Sequence, residues 1–134
     1  WYKDARGVPY AASGLRMLPR DMATLGRLML EKGAQGGRQI VPEAWVKASV
    51  SPHALIGSDG KCGFNYGYFW WILPSCAANP ASGWYAAIGY GGQRIFVVPE
   101  QELMIVMTAG LYDDSRQTAA VRQLIRGVRG ALAK

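Results

Sequence analysis

Residues 84–108 read Trp84-Tyr85-Ala86-Ala87-Ile88-Gly89-Tyr90-Gly91-Gly92-Gln93-Arg94-Ile95-Phe96-Val97-Val98-Pro99-Glu100-Gln101-Glu102-Leu103-Met104-Ile105-Val106-Met107-Thr108. Three short runs rich in apolar side chains, Trp84–Tyr90, Gln93–Val98 and Leu103–Thr108, are separated by Gly91-Gly92 and by Pro99-Glu100-Gln101-Glu102. Runs of this length and composition between such breakers predict strands. Connections this short join antiparallel neighbours, because a parallel crossover needs a dozen residues or more. Leu103–Thr108 is nearly all apolar, which predicts a central strand covered on both faces.

Working outward, Tyr66–Leu73 predicts a further strand, bounded by Gly63 and Pro74. Alternation along it puts Tyr66, Tyr68 and Trp70 on one face and Trp71 on the other. Such an aromatic stripe packs a core or, in the minority case, lines a groove. Residues 50–63 and 74–83 carry Pro, Gly, Asn and Asp and predict loops. Downstream, Asp113-Asp114-Ser115 supply capping and dipole chemistry for a last helix, whose apolar face is Val121, Leu124, Ile125, Val128 and Leu132. Upstream, Met22, Leu25, Leu28 and Met29 recur at helical spacing from Pro19 to Lys32, with Gly33 as the stop and Leu18 a poor cap. Residues 33–39 predict a glycine-rich turn. A short helix follows from Pro42, anchored by Trp45 and Val46, and residues 1–14 read as irregular. The expected fold class is α+β: an antiparallel sheet of about four strands packed against a C-terminal helix, with two N-terminal helices, over residues 1–134 as a single unit.

The 134 residues are 50% hydrophobic and 18% charged, which excludes a disordered tail or an acidic linker. No apolar run reaches about 18 residues, so no transmembrane helix is expected. The chain opens Trp1-Tyr2-Lys3-Asp4, without an initiator methionine, and is read as a piece of something larger. Net charge is +6, and Arg116, Arg122, Arg126, Arg129 and Lys134 crowd the last helix. They interleave with its apolar stripe as a solvated face would, which is favoured over a nucleic-acid footprint.

One histidine and two cysteines cannot make a four-ligand zinc site by themselves, and no metal or cofactor is expected. His53 follows Ser51-Pro52 in a polar turn and reads as a surface histidine. Cys62 and Cys76 form either a disulfide or two buried free thiols. The compartment stays open, with periplasmic or secreted placed ahead of cytoplasmic. Ser58-Asp59-Gly60-Lys61 matches Ser-x-x-Lys, but that motif needs a helix to set the lysine one turn from the serine. In a glycine-flanked loop it is rejected as a nucleophile pair. Gly89-Tyr90-Gly91-Gly92-Gln93 has two readings. Bare glycines open backbone to a ligand, or they form an ordinary hairpin bulge.

Ala12-Ser13-Gly14-Leu15-Arg16 with Pro19–Leu30, Gly37–Val46, Tyr66-Gly67-Tyr68-Phe69-Trp70-Trp71 and Gly89–Pro99 together resemble, in order, the class C β-lactamase-like serine hydrolases, which include penicillin-binding DD-peptidases and esterases. The resemblance covers nearly the whole chain. It implies the β-lactamase/penicillin-binding transpeptidase-like fold and hydrolysis of a small-molecule ester or amide through an acyl-serine. It also implies that the serine, lysine and Tyr-x-Asn elements belong to a missing N-terminal region of the same protein. The family's third element, Lys-Thr-Gly or His-x-Gly, aligns with Tyr90-Gly91-Gly92. Tyr90, Gly91, Gly92 and Gln93 are thereby the expected substrate-binding residues, with Tyr90 and Gln93 in catalytic roles. The Gln93 backbone N–H would serve the oxyanion hole. Tyrosine can donate a hydrogen bond but carries no positive charge at neutral pH, which favours the esterase-like branch over recognition of a β-lactam carboxylate. The chain alone is expected to be inactive. The alternative function is a non-catalytic binding module using the aromatic strand.

Overall fold

The strand Gln93–Val98 is the axis of the fold. Ile95, Phe96, Val97 and Val98 are all buried, so both of its faces are covered. The computed structural model describes residues 1–11, 13–57, 62–74, 76–77, 83–114 and 116–132, and the backbone only of Gln117. In chain order the elements are α1 (Pro19–Leu30), a two-stranded hairpin of β1 (Ala34–Gln35) and β2 (Arg38–Gln39), α2 (Glu43–Ser49), β3 (Ala54–Ile56), β4 (Phe64–Tyr66), β5 (Trp71–Pro74), β6 (Tyr85–Gly89), β7 (Gln93–Val98), β8 (Leu103–Met107) and α3 (Gln117–Leu132). Strands β3 to β8 form one antiparallel sheet in sequence order.

Period-two alternation divides the core between the two faces. Ile95 and Val97, with Trp70 and Tyr85, meet Met29 of α1 and Val46 of α2. Phe96 and Val98, with Ala86, face the other way, where Trp84, Ile105 and Ile125 of α3 pack on them. The Tyr85 hydroxyl donates to the Met29 carbonyl at 3.2 Å, and burial pushes its pKa up to about 12. On α1, the Asp21 carboxylate accepts the Leu18 N–H at 3.3 Å, which compensates for a cap residue with no polar side chain.

The α+β class and the antiparallel sheet are as expected, and several details differ. Among the described residues the sheet has six strands rather than about four. β3 lies within the segment expected to be loop, where three exposed residues leave no burial pattern to read. The aromatic run is two strands. Gly67 sits so close to Ser49 that a Cβ would fall 2.1 Å from its carbonyl oxygen, and Phe69 takes a left-handed φ of 63°. The chain therefore turns over residues 67–70 and re-pairs, Tyr66 opposite Trp71. Tyr68 and Trp70 consequently do not share a face: Trp70 is buried and Tyr68 exposed. β8 is an edge strand whose residues are all half-buried, not a central one. α3 begins at Gln117, because Tyr112 and Asp113 are held in a turn. Of its expected apolar face only Val121 is buried, Ile125 and Val128 are half-buried, and Leu124 and Leu132 point outward. Trp45 does not anchor α2. It is exposed and packs on Tyr68, with ring centroids 5.4 Å apart, while its neighbour Val46 faces the core.

Candidate functional site

The turn between β6 and β7 is held by four residues of the segment that follows β8, Ala109, Leu111, Tyr112 and Asp113. Gly91 and Gly92 take φ values of 83° and 102°, a region that strongly favours glycine. A Cβ on Gly91 would lie 2.5 Å from the Tyr112 ring, so the bare face is filled by protein, and both glycines are buried. The Gly91 carbonyl accepts the Leu111 N–H at 3.0 Å. The Gln93 side chain accepts the Ala109 N–H at 3.3 Å and donates to the Ala109 carbonyl. The Tyr90 hydroxyl donates to the Asp113 carboxylate and accepts the Asp113 N–H at 3.0 Å. Its ring lies 5.7 Å from that of Tyr112.

Arg94 braces the same turn from beneath. Only 8% exposed, its guanidinium donates to the carbonyls of Gly89 and Gln93, both at 2.7 Å, and so ties together the two strands that enter and leave the turn. Burial lowers its pKa, and among the described residues no carboxylate pairs with it. Arg94 also borders a cleft of about 710 Å³ between the sheet and α3. Trp71, Trp84 and Phe96 form one wall, and Arg122, Arg126 and Arg129 lie on the other, with no acidic side chain among the described lining residues.

The four expected site residues are thus contiguous, and Tyr90 is the exposed one. The supporting residues Asp113, Tyr112, Ala109 and Arg94 were not among those expected. In the sequence Asp113 reads as helix-capping chemistry, and nothing in a separation of 23 residues marks its bond to Tyr90. His53 is exposed, as expected. Its ring stacks on Tyr68 at 4.3 Å, at the β3 end of the sheet. Ser58 and Lys61 lie outside the described residues. Cys62 and Cys76 form a disulfide with Cα atoms 5.2 Å apart. Among the described residues no helix is long and apolar enough to cross a membrane. The turn at 67–70 sends the rings of the aromatic segment to different surfaces: Trp70 is buried, Tyr68 is exposed and Trp71 lines the cleft under α3.

A family model for beta-lactamase matches residues 2–127, and the chain belongs to that family. It is 30% identical over 109 residues to the 6-aminohexanoate-dimer hydrolase of Paenarthrobacter ureafaciens, a match covering 77% of this chain and 26% of that protein. A solved Bacillus anthracis structure carrying the same hydrolase name superposes with a TM-score of 0.72 at 26% identity, over 92% of this chain and 31% of that one. The chain thus spans about a quarter to a third of the length of these relatives.

Proposed function

We propose that this chain is the C-terminal portion of a serine hydrolase that cleaves an ester or amide through an acyl-serine intermediate. What supports this is the braced turn Gly89–Gln93, held from two sides by Asp113 and Arg94, in the stretch whose sequence resembles the family's third active-site element. A rigid backbone edge is what oxyanion stabilisation requires, since donors that need not reorganise contribute most. In this role the Gln93 N–H faces the developing oxyanion and Tyr90 faces the substrate. The nucleophile and its base come from the rest of the protein. Two features favour an ester or a linear amide over a β-lactam: the tyrosine at position 90, and a relative named for hydrolysis of an aminohexanoate dimer. The disulfide favours an exported location, the periplasm or outside the cell.

The test is labelling of the full-length enzyme with a fluorophosphonate probe, followed by peptide mapping. Acylation of one serine outside residues 1–134, lost when that serine becomes alanine, is the expected result. A folded full-length protein that takes no label would remove the hydrolase assignment.

A further inference from the structure

We propose that Asp113 fixes Tyr90 as a hydrogen-bond acceptor, so that the site selects substrates presenting a donor group, an ammonium or an amide N–H, beside the reacting carbonyl. This rests on the hydrolase reading above and specifies the substrate for the same site.

The phenol oxygen has one proton and two lone pairs. Its proton goes to the Asp113 carboxylate, because a carboxylate oxygen can only accept. One lone pair takes the Asp113 N–H at 3.0 Å. What remains toward solvent is a single lone pair, on a side chain that is 61% exposed. Tyr90 therefore has no proton to give to a substrate while Asp113 holds it. The charge beside it points the same way. Asp114 is neutralised by Arg116 at 2.9 Å, whereas Asp113 has no cation within ion-pair distance among the described residues. An ammonium brought to Tyr90 gains both the lone pair and the nearby negative charge. A carboxylate there meets repulsion and an oxygen that cannot donate.

The backbone supports this fixed arrangement. Asp113 has a left-handed φ of 57°, a conformation that asparagine and aspartate tolerate better than other side chains with a Cβ. Tyr112, one residue before it, fills the bare face of Gly91. Asp113 is thus a positioning residue, acting on substrate through Tyr90. Asp113→Asn keeps the φ preference and the size while removing the charge, and the new amide can donate to the phenol oxygen and release its proton outward.

The experiment uses the full-length enzyme and nitrophenyl esters of benzoic acids carrying a para-aminomethyl, para-ethyl or para-carboxymethyl group. The wild type is expected to prefer the aminomethyl ester over the carboxymethyl ester, the difference residing in KM. In Asp113→Asn the ratio of the two kcat/KM values falls about tenfold, the size of one charge-assisted hydrogen bond. The ethyl ester is the reference that reports any general loss of rate, which cancels in the ratio. Tyr90→Phe collapses the ratio to a similar level, and the double variant goes no further, as expected when one residue acts through the other. An unchanged ratio in a folded Asp113→Asn enzyme, or additive losses in the double variant, overturns the proposal. If Asp113→Asn does not fold, Tyr90→Phe decides alone: a ratio kept at the wild-type value overturns it. Loss of the serine label in the wild type sinks the hydrolase assignment. A labelled enzyme with an unchanged ratio sinks only the role of Asp113.

Discussion

The side-chain amide of Gln93 pairs with the backbone of Ala109 as a strand residue would, accepting the N–H at 3.3 Å and donating to the carbonyl. The β7–β8 ladder has its last pair at Arg94 and Met107, so this amide extends the sheet by one rung beyond it. From the sequence alone Gln93→Ala looks mild, since it keeps the backbone N–H. With both bonds to Ala109 lost, we expect a cost of about 1–2 kcal/mol in urea melts. A melt within error of wild type would show that the rung contributes nothing.

Arg94 should matter more than a surface arginine. Arg94→Met leaves the Gly89 and Gln93 carbonyls without their buried donor, at about 1–3 kcal/mol. Arg94→Lys should fall between wild type and methionine, because an ammonium lacks the planar fork. Arg122→Ala, on the exposed part of α3, should stay within about 0.5 kcal/mol. Urea denaturation of the three variants gives the ranking.

On α3 the sensitive position is Val121, not Leu124. Val121 is 5% exposed and Leu124 52% exposed. Val121→Ala should cost about 1–2 kcal/mol by loss of buried methyl groups. Leu124→Ala should lie within about 0.5 kcal/mol of wild type, as surface changes do. The reverse order in thermal or urea melts would mean that the helix turns a different face to the sheet.

Tyr85 makes the fold sensitive to alkali. Burial raises its pKa from 10.0 to about 12, so its neutral form is favoured in the native state. That stability is complete below the unfolded pKa and is lost as pH rises through the folded one. Between about pH 10 and 12 the wild type should lose up to about 1.4 kcal/mol per pH unit from this group. Tyr85→Phe should remove that slope and cost about 1 kcal/mol at neutral pH, through the lost bond to Met29. Parallel slopes in the two proteins would place the alkaline loss elsewhere.

The disulfide closes a loop across 14 positions of sequence. A Cys62→Ser/Cys76→Ser pair should lose about 3 kcal/mol on the chain-entropy model. Dithiothreitol should shift the urea midpoint of the wild type and leave the double variant unmoved.

Where a segment's neighbours are local, the sequence is informative. β6, β7 and β8 follow from short apolar runs between breakers, and α1 from four residues at helical spacing. β3 was illegible because three exposed residues have no period. The 66–73 run looks like one strand in the sequence because its break depends on Ser49, which forbids a Cβ at position 67 from far away in sequence. In the site, Tyr90 through Gln93 stood out because glycines mark a special backbone. Asp113 and Arg94 did not, since an aspartate before a helix and an arginine in a strand both have ordinary explanations. Only the fold brings them to the same turn.

β8 ends the sheet with Leu103-Met104-Ile105-Val106-Met107, and among the described residues no strand pairs with its outer side. Such an edge carries none of the usual protections: no lysine, no proline and no bulge interrupts the run. With its outer side uncovered, the segment displays a row of open peptide groups flanked by large aliphatic side chains. That is a template for another copy of itself, and it sets folding in competition with self-association.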